Sequence, residues 1–308
     1  MHISGSTGET SVEERFSQGN GFRLYNNACI YTDALEGGVY YLTTRYYHAK
    51  GSTQSIPLYI RDSNGAMTPL GIDFAVGSGT GLSDYTGFTS YICIPDGYSF
   101  AIYNTTGYNS SIEFDYIILT KVDNPVETAT IGANGFTTFA SPYPLDLTTA
   151  NLPSGLKAYT ASLDATTLSF SKKDDAAVVA GTGLLLKGAA GESYDIPVAA
   201  TGATVDGNAF TGVIAATDLK SDAEGNYIFV MKKATDASEA LTFLPLTTER
   251  DVTVPAGKAY VSVPASAFED SSNNSRVLRV SFKDDTTGIE TIGNAEQEAD
   301  NATYNLNG

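Results

Sequence analysis

Tryptophan is absent from this chain of 308 residues, and cysteine and histidine occur only twice each. Two cysteines, Cys29 and Cys93, cannot make a disulfide scaffold. Each sits in a strand-like run, so a single Cys29–Cys93 bridge and two buried thiols both stay open, since bridging needs Cα atoms within about 7 Å. Neither has a histidine beside it in sequence, which argues against an activated thiol nucleophile. His2 and His48 alone are too few for a usual zinc ligand set. No Gly-x-Ser-x-Gly elbow is present to seat a nucleophilic serine. Basic residues are scarce as well: 18 Lys plus Arg face 35 Asp plus Glu, a formal net charge of −17. That balance argues against nucleic acid, whose recognition needs dense basic surfaces, and against anionic lipid. No apolar run approaches the roughly 20 residues of a bilayer-spanning helix, so membrane insertion is not expected. The first eight residues carry neither a charged stretch nor an apolar core, which suits a chain excised behind its leader and a cytosolic protein alike.

What is abundant is tyrosine, and it is unevenly placed. Thirteen of the 19 tyrosines, Tyr25 to Tyr116, lie before residue 125, and the remainder of the chain is rich in Ala, Thr, Val and Gly. The polar, proline-bearing join at Lys121-Val122-Asp123-Asn124-Pro125 suits a linker, so two domains are expected, 1–125 and 126–308. In the first, β-branched and aromatic runs at 38–47, 56–61, 88–94, 98–103 and 112–119 are separated by turn signals such as Asp62-Ser63-Asn64-Gly65 and Pro95-Asp96-Gly97. No window shows a 3.6-residue apolar period, so helices should be few. The fold class is all-β, a jelly-roll β-sandwich followed by a second β-sandwich-like domain. The second domain contains an echo, Leu152-Pro153-Ser154-Gly155-Leu156-Lys157-Ala158-Tyr159 against Val254-Pro255-Ala256-Gly257-Lys258-Ala259-Tyr260. A spacing of about a hundred residues is too long for a solenoid and fits two similar halves or sheets. From Thr286 onward the chain turns polar and acidic, as in a frayed tail or linker.

The segments 84–91, 94–102 and 111–117, with Leu35-Glu36-Gly37-Gly38-Val39-Tyr40-Tyr41-Leu42, resemble the galactose-binding-like jelly rolls of carbohydrate-binding module families 6 and 35. Ile131-Gly132-Ala133-Asn134-Gly135-Phe136-Thr137-Thr138-Phe139, the Lys-Ala-Tyr echoes and Thr286-Thr287-Gly288-Ile289-Glu290 resemble β-rich modules of secreted Bacteroides-type gut bacteria. In that group Tyr304-Asn305-Leu306-Asn307-Gly308 is similar to the opening of a C-terminal sorting segment. These resemblances imply a secreted or cell-surface protein, with a polysaccharide as partner and a catalytic domain attached in the parent molecule.

Sugar recognition needs flat apolar faces for the C–H side of a pyranose and planar polar groups for its hydroxyls, and tyrosine offers a ring with a polar edge. By position, the resemblance places ligand contacts at Tyr85, Phe88 and Asn109. Tyr108, Tyr46, Tyr47, Asn26 and Asn27 are weaker additions. It also implies a structural calcium held by Glu13 and Glu14 with Asp115, oxygen ligands of the kind that ion takes. Glycoside hydrolysis needs two carboxylates at a defined separation. Adjacent acids such as Asp174-Asp175 and Asp284-Asp285 read as turns, so no catalytic role is expected. The reading is a non-catalytic module binding plant cell-wall glycan, xylan first. The alternative is a surface adhesin or assembly module that binds protein or host glycan.

Overall fold

The structure is a computed structural model, and it describes residues 2–4, 7–10, 21–25, 27–48, 54–76, 86–104, 111–219, 225–246, 252–268 and 278–283. The acidic segment from Thr286 lies outside these residues. The chain divides into two compact units, Met1–Pro125 and Val126–Gly308. The described residues contain no α-helix.

The first unit holds ten strands: β1 (His2–Ser4), β2 (Thr7–Thr10), β3 (Gly21–Tyr25), β4 (Cys29–Tyr31), β5 (Gly38–His48), β6 (Gln54–Arg61), β7 (Met67–Val76), β8 (Thr86–Ile94), β9 (Ser99–Tyr103) and β10 (Ser111–Val122). Their antiparallel pairing is nested: β3 with β10, β4 with β9, β5 with β8 and β6 with β7. A folded-over hairpin of this kind is a jelly roll. It yields one sheet in the order β1-β4-β9-β6-β7 and a second in the order β2-β3-β10-β5-β8. The strands are β-branched and aromatic with a period of two, so one set of side chains can meet the opposite sheet. Leu24, Leu42, Ile56, Leu58, Ile92, Ile94, Phe100, Ile102 and Phe114 form that buried interior.

Cys29 and Cys93 are both free thiols, on β4 and β8 of different sheets, so the two-thiol alternative describes this structure. Tyr46 belongs to the interior: it is 3% exposed and its ring centre lies 6.3 Å from that of Phe114. Burial pushes its phenol pKa up. A side chain in that position cannot meet a ligand on the surface, which corrects the expectation placed on Tyr46.

The second unit holds β11 (Val126–Thr130), β12 (Phe136–Phe139), β13 (Leu145–Asp146), β14 (Lys157–Asp164), β15 (Thr167–Lys172), β16 (Ala177–Val178), β17 (Leu184–Lys187) and β18 (Ser193–Pro197). It continues with β19 (Phe210–Val213), β20 (Thr217–Leu219), β21 (Asn226–Met231), β22 (Phe243–Pro245), β23 (Val252–Val254), β24 (Lys258–Pro264) and β25 (Arg279–Phe282). The five-stranded sheet β12-β17-β14-β15-β25 and the four-stranded sheet β19-β24-β21-β22 share a core of Phe170, Phe210, Phe229, Phe243, Val261 and Val280. The two echo segments open β14 in one of these sheets and β24 in the other. Each begins at a Pro-x-Gly turn whose glycine, Gly155 or Gly257, sits at a φ of 86° or 83°, the left-handed region that glycine tolerates. Similar words in the sequence are thus similar turns feeding different sheets.

Candidate functional site

Alternation along β5 decides which side chains leave the first unit's core. Tyr40, Leu42 and Tyr46 point inward, which sends Tyr41, Thr43, Arg45 and Tyr47 to the outer face. On β10 the inward residues are Ile112 and Phe114, then Ile117 and Leu119. The phase changes because the register steps from Phe114 opposite Tyr46 to Tyr116 opposite Arg45, leaving Asp115 as the extra residue of a β-bulge. Thr44, fully buried, donates its hydroxyl to the Tyr116 carbonyl at 2.8 Å and so satisfies the backbone beside the bulge.

The outer face of the β2-β3-β10-β5-β8 sheet carries a row of polar and aromatic groups. Arg23 on β3 stands opposite Glu113 on β10, which stands opposite Tyr47 on β5. Arg23 forms an ion pair with Glu113, whose side chain is only 1% exposed. Two residues along β3, Tyr25 lies with its ring centre 6.0 Å from the Arg23 guanidinium carbon and stays 38% exposed. Burial opposes the charge on Arg23, while Tyr25 and Glu113 hold it, and its pKa ends above the ordinary value. The Nε of Arg23 is buried and has no hydrogen-bond partner among the described residues. Each buried polar group of this kind calls for a partner, from water or from a ligand. One strand over, Arg45 donates from Nη1 to Asp115 Oδ2 at 2.6 Å, and the Asp115 side chain is fully buried. Farther along, Tyr41 and Tyr91 face each other across β5 and β8 with ring centres 5.1 Å apart, and Tyr91 is 41% exposed.

The outer face of the other sheet carries rings too. Tyr31 and Tyr59 flank the small Ala101 across β4, β9 and β6, and Tyr103 lies beside Tyr59 at 6.4 Å. There the guanidinium of Arg61 is already stacked 4.4 Å over the Tyr31 ring. The first face therefore combines rings with an unsatisfied donor, and the second does not show that combination.

Of the residues expected from sequence, Tyr85, Tyr108, Asn109, Asn26, Glu13 and Glu14 lie outside the described residues. Phe88 is half-buried and packs against the core, so its ring is largely structural. Tyr47 does sit on the outer face, but at 9% exposure it offers an edge of the ring and not a platform. Asp115 does not fit a calcium ligand: Arg45 already balances its carboxylate, and a dication would have to displace that guanidinium. No metal-holding group of three or more His, Cys, Asp or Glu occurs among the described residues. Arg23, Glu113, Tyr25, Tyr41 and Tyr91 were not singled out from the sequence. The alternation Phe22-Arg23-Leu24-Tyr25 marks two of them as outward, but the pairing of Arg23 with a glutamate ninety residues later is visible only in the register.

No protein-family model matches the chain, and no curated protein does either. Among solved structures, the CBM22-1–GH10 modules of Clostridium thermocellum endo-1,4-β-D-xylanase 10B, complexed with xylohexaose, are similar over 43% of this chain at 19% identity and a TM-score of 0.30. The chain spans 28% of the length of that structure. The CBM22-1–CBM22-2 tandem domain of Paenibacillus barcinonensis Xyn10C is similar over 85% of each chain, at 10% identity and a TM-score of 0.32. Both contain CBM22 modules, a different group from families 6 and 35.

Proposed function

We propose that the first unit is a non-catalytic carbohydrate-binding module that holds a polysaccharide on the outer face of its β2-β3-β10-β5-β8 sheet. The observation that carries this is the outward Tyr25 ring beside Arg23, a part-exposed guanidinium side chain held in place by the buried Glu113 carboxylate. A pyranose resting its C–H face on Tyr25 would bring its hydroxyls to the exposed part of the Arg23 side chain, which the Glu113 carboxylate orients. Hydrolysis would need two carboxylates free to flank a glycosidic bond. Here Glu113 and Asp115 are each tied to an arginine, an arrangement suited to holding a ligand. In this reading the parent molecule is a secreted polysaccharide-degrading protein, the attached catalytic domain does the chemistry, and the second unit is a spacer. Xylan is the first glycan to try, following the sequence resemblance.

Calorimetry of the full chain against soluble xylan, β-glucan, mannan and pectin tests the proposal. Saturable binding to at least one is expected. Tyr25→Ala should weaken it about tenfold, in keeping with the loss of one ring contact plus its apolar area, and leave the melting temperature unchanged. Flat titrations with all four glycans, or a Tyr25→Ala protein that binds as well as the parent, would overturn it.

A further inference from the structure

The second unit carries an open pocket of about 480 Å³, within the size range of small-molecule sites, between β11, β12, the segment after β21 and the start of β24. Its walls are mainly apolar, with Phe139, Val230 and Met231 among them, and its charged lining groups are Lys233 and Lys258. In a chain with nearly two acids for every base, no carboxylate among the described residues lines it. Lys258 reaches in from β24 and donates to the Thr137 hydroxyl at 3.2 Å, and that hydroxyl donates onward to the Thr138 carbonyl at 3.3 Å. An ammonium has three donors, so two of those on Lys258 are left over, and no carboxylate among the described residues comes within ion-pair distance. Burial lowers the Lys258 pKa, and the neighbouring Lys233 charge lowers it further. A partly buried cation without a counter-charge is costly to keep, and an incoming anion lowers that cost.

We infer that this pocket binds an amphipathic carboxylate, with an apolar body against Phe139, Val230 and Met231 and its carboxylate on Lys258 and Lys233. Apolar walls disfavour a small, fully hydrated anion such as phosphate, which would have to shed its water without enough donors to replace it. A neutral compound of the same shape would fill the space but leave the Lys258 ammonium as it is. The site is independent of the first unit's sheet face, so the two proposals stand or fall separately.

The test is calorimetry of the full chain at low salt with 3-phenylpropanoate, its neutral isostere 3-phenylpropanamide, and inorganic phosphate. The carboxylate should bind about tenfold more tightly than the amide, the usual scale for a charge-assisted contact, and phosphate should give no heat. Lys258→Met should abolish the preference without changing the melting temperature. Lys233→Met should reduce it, a second variant that serves if the first fails to fold. Raising the salt should weaken the carboxylate alone. Equal binding of carboxylate and amide, tighter binding of phosphate, or no binding of any probe would overturn the inference.

Discussion

The two units use aromatic rings in opposite ways. In the first, tyrosines at alternate positions leave the core: Tyr25, Tyr41 and Tyr91 on one sheet, Tyr31, Tyr59 and Tyr103 on the other. In the second, phenylalanines turn toward one another. Phe170 is fully buried, with ring centres of Phe282, Phe210 and Phe243 at 5.0, 6.0 and 6.3 Å. The difference is chemical before it is architectural. A tyrosine can stand half in water because its hydroxyl is hydrated, whereas a phenylalanine has only area to gain from leaving it. Aromatic density alone therefore says little about binding; which ring type occupies the outward phase of a strand says more.

Removing an inward ring should have the largest effect. Phe170→Ala takes a side chain from full burial among three other rings, and about 4 kcal/mol of destabilisation is expected from lost transfer energy and the cavity left behind. Denaturant unfolding followed by a probe in the second unit reads this, while glycan titration of the first unit should be unaffected at low denaturant. A loss under 1 kcal/mol would mean that the phenylalanine cluster is not the core of that unit.

A thiol on the first unit's outer phase sharpens the contrast. Cys93 stands opposite Val39 on the outward side of β8, yet burial pushes its pKa up to about 12. Cys93 is half-buried and Val39 beside it is 3% exposed, so that part of the face is less open than the part around Tyr91. The folded protein keeps the thiol neutral while the unfolded chain ionises it above about 9, so its stabilising contribution is complete below that pH. It is lost as the pH rises through the interval to about 12, with a slope of at most about 1.4 kcal/mol per pH unit. Urea midpoints of the parent should fall more steeply between pH 9 and 11 than those of Cys93→Ala, both by about the same amount from other groups. Ready alkylation of Cys93 in the folded protein at pH 8 would break the argument.

Much of the all-β architecture was legible because strands and turns are local signals. The expected runs at 56–61 and 112–119 appear within β6 and β10, and Asp62-Ser63-Asn64-Gly65 makes its turn, with the Asp62 carboxylate accepting from the Asn64 and Ala66 amides. Little of the site was legible. Tyr46 and Tyr47 are adjacent tyrosines on opposite faces of the sheet, and only the phase of β5 tells them apart. Asp115 reads by resemblance as a calcium ligand, and only the bulge shows that it is presented to Arg45. Glu113 gains its role from Arg23, far away in sequence, through a register that no single segment encodes.

The smallest effect concerns the outward pair Tyr41 and Tyr91. They are directly opposed on neighbouring strands with ring centres 5.1 Å apart and tilted by 54°. A cross-strand aromatic contact of this kind couples two residues by about 0.5–1 kcal/mol, far below the loss expected at Phe170. A double-mutant cycle of Tyr41→Ala and Tyr91→Ala isolates that coupling from the area each ring covers by itself. If the rings are poised for a ligand on this face, the coupling in the free protein should stay under about 1 kcal/mol, because Tyr91 still keeps 41% of its surface in water. A coupling several times larger would mark the pair as a structural clamp. It would also leave Tyr25, 38% exposed beside Arg23, as the ring on this face better placed to offer area to a sugar.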